Sequence, residues 1–364
     1  MRIIHCADLH LESSLKGVLS GDKAKERREE ILYNYDRLVD YANKMGVDVI
    51  LMAGDIFDKT TNVKTATKHI LEVMRDNPGI DFLMLRGNHD KRELFDDVRS
   101  VPKNVKLFND RGWKAYEYGD IVIKGVELSE NNYKDVAFNL VLDPGKCNIV
   151  MLHTDSASEK KDKEVYEINF NDLKNKNIDY LALGHIHRYD RQQLDDRGIY
   201  VYPGCLEGRG FDEVGKKGFV LLDIDENNRI TDTFIPFAKR EIYKEEVRVN
   251  PDDTMKDIID KVHKVSDSID SKDMLEIELV GNTNMDDLVD IDVRRIRREF
   301  ADRFYCFKVK DSTTMQVDYD SFANDKSLKG EFIRLLEKQA LSDEDKSIIV
   351  ELGIKALKGE NLDI

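Results

Sequence analysis

No stretch of this chain approaches the roughly 18–20 consecutive apolar residues that cross a bilayer, so a membrane partner is not expected. Cysteine is scarce and scattered. Cys6, Cys147, Cys205 and Cys306 stand far apart and form no CxxC pair. That spacing excludes a thiolate zinc site of the ribbon type and gives no disulfide framework, which points to reduced thiols and a cytoplasmic address. The opening "MRIIHCADLH" has no charged head, apolar body or small-residue cleavage site, so no secretory leader is expected there. Positive charge is also short: 57 Lys and Arg face 72 Asp and Glu, a formal net charge of −15. Nucleic-acid binders draw phosphate affinity from Lys and Arg, so composition alone argues against DNA. Internal repeats and low-complexity segments are missing as well. What is present is ample material for a core, 41 % hydrophobic residues, and 35 % charged residues for a water-facing surface. At 364 residues the chain fits two or three domains.

The first two-thirds alternates short β-rich runs with helical stretches. "MRIIHCADLH" predicts a strand, "AKERREEILYNYDRLVDYANKMG" an amphipathic helix closed by Gly46, "VDVILMAGD" a second strand, residues 62–77 a helix ended by Pro78, and "IDFLMLRGNHD" a third strand. "CNIVMLHTD", "IDYLALGHIH", "GIYVYPG" and "KGFVLLDID" follow as strands, with little helix among the last three. The βαβ rhythm predicts an α/β fold around a sheet buried on both faces, and the later strands predict a second sheet packed on the first as a sandwich flanked by helices. From about residue 241 the order becomes strand, helix (252–265), strand, helix (285–300), strand: a small βαβαβ cap. A polar stretch over 311–327 and two C-terminal helices complete the chain. The expected domains are 1–240, 241–311 and 325–364.

The endings of the apolar strands carry the chemistry. They are Asp8-Leu9-His10, then Gly54-Asp55-Ile56-Phe57-Asp58, then Gly87-Asn88-His89-Asp90, His153-Thr154-Asp155 and Gly184-His185-Ile186-His187. Any one of these is ordinarily a cap, a turn or a surface pair. Five strands all finishing in Asp, Asn or His, three of them after a glycine that allows a sharp turn, are not a coincidence. In open α/β sheets the C-terminal strand edge is where ligands bind. Oxygen and imidazole donors without sulfur suit Mn²⁺, Fe or Zn²⁺. There are too many for one tetrahedral ion, and they suit two ions about 3.5–4 Å apart of the kind used in phosphoester hydrolysis.

The series DLH, GDIFD, GNHD, a strand-end His and GHIH resembles the calcineurin-like metallophosphoesterases. "HCADLHLESSLKG" and "YPGCLEGRGFDEVGKKGFVLLDID" resemble a narrower branch, the SbcD/YhaO-type DNA repair exonuclease family, over residues 1–238. The resemblance implies that Asp8, His10 and His187 bind one metal, that Asn88, His153 and His185 bind the other, and that Asp55 bridges both. A carboxylate has two oxygens to share between cations, whereas an imidazole nitrogen or an amide oxygen serves one. Two such ions, Mn²⁺ first with Fe or Zn²⁺ as alternatives, acidify a bridging water and supply hydroxide for in-line attack on phosphorus. His89 follows a ligand and is expected to act as general acid, oriented by Asp58 of GDIFD. Archaeal and eukaryotic relatives often carry His where this chain has Asp58.

The resemblance further implies DNA as substrate and an SbcC-like coiled-coil ATPase as partner, and it leaves a homodimer open. The alternative is a stand-alone phosphatase or phosphodiesterase acting on nucleotides or phosphoproteins. The residues after Pro236 favour the nuclease, since a bare hydrolase needs neither cap nor trailing helices. Two basic runs are candidates for DNA contact or simply for solvated faces: Lys23, Lys25, Arg27 and Arg28, and the helical face of Arg294, Arg297 and Arg298. Arg86 is a candidate for phosphate or for a salt bridge. His5 is expected in the core, His69 and His263 have no role, and Asp90 and Asp155 are either supports for the ligands or turn residues. Leu328, Phe332, Leu335 and Leu336, then Ile348, Leu352 and Leu357 on a helix capped by Ser342 and ending near Gly359, form apolar stripes for the partner or for the protein itself.

Overall fold

A computed structural model describes all residues except 16, 20, 59–63, 91–100, 157–164, 285–290, 317–318, 320–321 and 359–364. The chain divides into two compact units, Met1–Glu241 and Ile242–Ile364.

In the first unit, β1 (Arg2–Cys6), β2 (Val49–Ala53), β3 (Asp81–Leu85) and β4 (Val105–Leu107) lie parallel, with helices α1 (Gly21–Met45) and α2 (Lys64–Asp76) in the crossovers. The second sheet follows in the chain: β5 (Lys114–Tyr118), β6 (Ile121–Gly125), β7 (Cys147–His153), β8 (Tyr180–Gly184), β9 (Asp190–Gln193) and β10 (Ile199–Tyr202). The chain then returns to the first sheet with β11 (Gly218–Ile224), antiparallel to β1, and β12 (Ile230–Pro236). The sheet orders are β12-β11-β1-β2-β3-β4 and β5-β6-β7-β8-β10-β9.

Side chains alternate across each strand, so a continuous apolar run supplies both faces. Ile3, Val49, Leu51, Leu83 and Val220 meet Ile123, Ile149, Met151, Tyr180 and Val201 between the sheets. Ile4, Ile50, Met52, Phe82 and Met84 face the other way, onto Tyr35, Leu38, Ile70 and Met74 of the helices. Each fully buried aliphatic side chain contributes roughly 1.5–3 kcal/mol. His5 lies between the sheets, as expected for a core histidine. Its Nδ1 pairs with the Tyr180 hydroxyl (2.9 Å) and its Nε2 with the Leu183 carbonyl (3.1 Å), and burial pushes its pKa down to about 3. Among the strands missed in the sequence, β5 (KAYEY) and β9 (DRQQ) are polar edges, where one face or both meet water and the apolar signal disappears.

In the second unit, β13 (Ile242–Val249), β14 (Met274–Asn284) and β15 (Cys306–Gln316) form a parallel sheet in that order. Helices α3 (Met255–Ser266) and α4 (Val293–Phe300) bury Ile258, Val262, Ile296 and Phe300 in the core of this unit. α3 starts later than 252 because Thr254 and Asp257 form a reciprocal capping box at its true N-terminus. The first part of the expected 285–300 helix lies outside the described residues. The polar stretch over 311–316 is strand: it continues β15 against Leu279–Asn284.

Two helices close the unit, α5 (Leu328–Glu337) and α6 (Asp343–Lys358), with Ser342 capping the second through its hydroxyl to Asp345 N (3.1 Å). The end near Gly359 lies outside the described residues. The inward face differs from the expected stripes. Ile333, Leu336 and Val350 are buried with Phe322, whereas Leu328, Leu335, Ile348, Leu352 and Leu357 are exposed. The small home cluster takes one face of each helix and leaves a second apolar face to solvent.

Candidate metal centre

Strands β1, β2 and β3 of one sheet and β7 and β8 of the other end at the same edge, and their tails interlock. Asp8 N donates to the Gly54 carbonyl (3.0 Å), His10 N to that of Asp55 (3.0 Å), and Asp58 N to that of Leu11 (3.1 Å). Two glycines make the packing close enough. Gly54 has φ +91°, and a Cβ there would strike the His153 ring; a Cβ on Gly87 would strike the Asp55 carboxylate. Four of the candidate residues themselves occupy positive φ: Asp8 (52°), His10 (44°), Asp55 (49°) and His185 (104°). Such conformations cost about 1–3 kcal/mol each and persist where surrounding structure imposes them, most often at functional sites.

The side chains converge. Donor atoms of Asp8, His10 and His187 lie within 4.8 Å of one another, as do those of Asp8, Asp55 and His153, and those of His10, Asp58 and His89. His10 Nε2 faces His187 Nε2 at 3.0 Å, and His153 Nε2 faces Asn88 Oδ1 at 3.0 Å. Asp55 Oδ2 lies between the two sides, 3.5 Å from His153 Nε2 and 3.7 Å from His10 Nε2. Its Oδ1 accepts the His89 backbone N–H (2.8 Å). The Asp8 carboxylate accepts His185 N (3.0 Å), and the His185 ring stands edge-on to His153 at 5.5 Å between centroids. His89 Nδ1 is 3.2 Å from Asp58 Oδ1.

The donor set fits divalent cations. The Nδ1 of His153 is taken by the Ala53 carbonyl (2.9 Å) and the Nδ1 of His187 by Glu213 Oε1 (2.7 Å), so each imidazole aims Nε2 at the centre. A carboxylate or carbonyl on the far nitrogen is the usual way to fix a ligating tautomer. Burial pushes the His10 pKa down to about 2, with the Arg209 charge adding to it, and keeps that ring neutral as a ligand must be. Burial raises the Asp8 carboxyl, against the opposing charges of His153 and His187. At Asp55 burial is outweighed by the charge and hydrogen bond of His153, which hold the carboxyl well below its usual range; the same pairing raises His153. A divalent cation held at Asp55 would supply the positive charge that a protonated His153 otherwise provides there.

Residues that sequence reasoning missed surround this centre. Glu213 accepts from His187 and from Arg209, whose Nη2 is 2.7 Å from Oε1; Lys217 Nζ donates to the His187 carbonyl (2.8 Å). The signal was present in "GRGFDEVGKK", but nothing in it indicates that a glutamate 26 positions away folds onto His187. Asp90 proves structural: its carboxylate ties together the N–H groups of Ile56 (3.1 Å), Phe57 (2.9 Å) and Gly87 (3.0 Å), and burial raises its pKa to about 7. Asp155 caps its own turn at Ser156 N. Arg86 is bound to Glu127 through Nε (2.9 Å) and Nη2 (2.5 Å), the salt-bridge outcome. Arg27 belongs to neither a solvated face nor a phosphate track. It is fully buried and pairs with Glu30 and Glu207, because α1 packs this end onto the loop before β11. His69 pairs with Asp36 (2.8 Å) and, in the second unit, His263 pairs with Arg303 (2.9 Å).

The calcineurin-like phosphoesterase family profile matches residues 1–189. Across its whole length the chain is 26 % identical to the DNA double-strand break repair protein Mre11 of Saccharolobus solfataricus, covering 96 % of that protein. It is 31 % identical to the metallophosphoesterase YhaO of Bacillus subtilis over 62 % of this chain and 57 % of that one. It is 26 % identical to the SbcD component of the SbcCD nuclease of Staphylococcus epidermidis over 65 % of this chain and 69 % of that one. With the two sheets, the strand-end donors and the profile match in agreement, the chain belongs to the calcineurin-like phosphoesterase family and is a metal-dependent phosphoesterase.

Proposed function

We propose that this protein is the nuclease component of a DNA repair complex, a two-metal phosphodiesterase that hydrolyses DNA and works with a coiled-coil ATPase. The observation that carries the two-metal reading is the placement of Asp55 Oδ2 between His10 and His153. One carboxylate then serves Asp8, His10 and His187 on one side and Asn88, His153 and His185 on the other. The alignment with Mre11 along the whole chain, cap and C-terminal helices included, supports the nuclease reading over a bare phosphatase.

Bound divalent cations, Mn²⁺ with Fe or Zn²⁺ as alternatives, supply Lewis-acid charge and acidify water in such a site. The chain does the rest. The seven donors fix where charge builds up on the phosphate, and the buried walls around Asp8, His10 and Asp55 limit water there. His89, half-buried and held by Asp58, presents its ring at 5.0 Å from that of His10 and delivers a proton to the leaving oxygen. No helix among the described residues is long and apolar enough to cross a membrane, and a cytoplasmic site of action agrees with four cysteines that form no disulfide.

The direct test is hydrolysis by purified protein with Mn²⁺ of blunt-ended duplex DNA and of a small chromogenic phosphodiester, with and without the ATPase. Manganese-dependent cleavage of both, with DNA degradation stimulated by the ATPase and ATP, is expected. Activity confined to phosphomonoesters or nucleotides overturns the nuclease role in favour of a stand-alone phosphatase.

The overall charge of −15 leaves local patches and the partner to hold DNA. In α4, Arg294, Arg297 and Arg298 are exposed, and Arg298 approaches Asp292 only at 4.0 Å. Replacing all three by Glu should weaken duplex binding and make its salt dependence shallower by up to about 0.9 per lost phosphate contact. Hydrolysis of the chromogenic diester should be unaffected, and equal loss of both activities would assign these arginines a structural role.

The exposed apolar face of α5 and α6 is the proposed seat of the ATPase. Leu335→Asp with Ile348→Asp and Leu352→Asp should abolish co-purification with it while leaving manganese content and diester hydrolysis intact, since none of the three lies in the home cluster. Unfolding of this variant would place the face in the protein's own core.

A further inference from the structure

We propose that Arg209 is a substrate-binding residue of the reaction: its guanidinium takes a non-bridging oxygen of the phosphoester over the metal centre. The loop between β10 and β11 places this side chain on the rim of the site, where it stands between two groups with different tasks. Its Nη2 lies 3.2 Å from Nδ1 of His187, and its Nη1 lies 4.0 Å from Oδ2 of Asp58. Asp58 gives its other oxygen to His89, and the rings of His89 and His187 both stand edge-on to His10, at 5.0 and 4.8 Å. His89, Asp58, Arg209 and His187 thus form a continuous rim over the buried His10.

The two edges of the guanidinium are used differently. Nε and Nη2 grip Glu213 Oε1 at 3.1 and 2.7 Å, which orients the plane. Nη1 points along the rim, and 4.0 Å is too long for a hydrogen bond to Asp58. Among the described residues Nη1 donates no hydrogen bond, and its ion-pair neighbour is Asp58. The side chain is 18 % exposed, enough for a ligand to reach that corner. A bracing role for Glu213 needs only the other edge. A planar fork with one edge fixed by a carboxylate and the other turned to the reaction centre suits an anionic oxygen, and a lysine could not hold both. Arg86 cannot take this part from its place on Glu127. The proposal rests on the phosphoesterase reading of the centre and holds whether the ester is DNA or a smaller molecule.

The test uses the full chain loaded with Mn²⁺ and inorganic phosphate as the probe. Arg209→Gln should keep the wild-type manganese content and lose about 10- to 100-fold in phosphate affinity by calorimetry, the range for one charge-assisted hydrogen bond. Its KM for a chromogenic diester should rise, and Arg209→Lys should recover part of both. A second measurement needs no variant: phosphate should slow phenylglyoxal modification of Arg209 in the wild-type protein, read by peptide mapping. Phosphate affinity equal in wild type and Arg209→Gln, or modification of Arg209 indifferent to phosphate, overturns the role of Arg209 alone. Wild-type protein that takes up no manganese overturns the metal centre, and this proposal with it.

Discussion

Asp55→Asn should leave a folded protein that no longer holds its full manganese complement and shows no detectable phosphodiester hydrolysis. The substitution keeps the shape of the side chain and an oxygen for the His89 N–H. It removes the negative charge that lies within 3.7 Å of both His10 and His153. One amide oxygen cannot bind two cations, and without the carboxylate neither side of the site has its shared counter-charge. Elemental analysis and a diester assay on the same preparation check this. Two ions retained, with turnover within tenfold of wild type, would remove Asp55 from the bridging role.

His89→Ala should separate metal binding from catalysis. The ring contacts Asp58 and stands over His10, and it is the backbone N–H of His89, retained in the variant, that meets Asp55. Manganese content should therefore persist while DNA hydrolysis falls by roughly 10²–10⁴, as for a removed general acid. The loss should shrink for a chromogenic ester, whose phenolate departs without needing a proton. Asp58→Asn should give a milder form of the same pattern, about 10–100-fold, as for an orienting partner. Loss of metal from His89→Ala would instead make His89 a ligand, an arrangement that the proximity of His10, Asp58 and His89 also permits.

The convergence of these side chains was legible in the sequence because parallel strands buried on both faces leave long apolar runs that stop abruptly. At each stop a polar residue must point into the shared edge, so Asp8, Asp55, Asn88, His153 and His185 announce themselves. What lies between was not legible. Glu213 and Arg209 act through a loop that only the return of β11 beside β1 brings to His187. Arg27 sits among charges in the sequence and is buried among them in the fold, which local composition cannot distinguish from a solvated helix face. The C-terminal helices carry apolar residues on more than one face. Ile333, Leu336 and Val350 turn inward while Leu328, Leu335, Ile348, Leu352 and Leu357 do not, because the home cluster is too small to cover both stripes.

In the proposed site Asp55 joins two cations, one held by Asp8, His10 and His187 and the other by Asn88, His153 and His185. Anomalous diffraction from crystals grown with Mn²⁺, collected on both sides of the manganese edge, tests it most directly. Two peaks about 3.5–4 Å apart, both in contact with Asp55 and neither with the His89 ring, are predicted. A single peak, or one bound by His89 and Asp58, would contradict it.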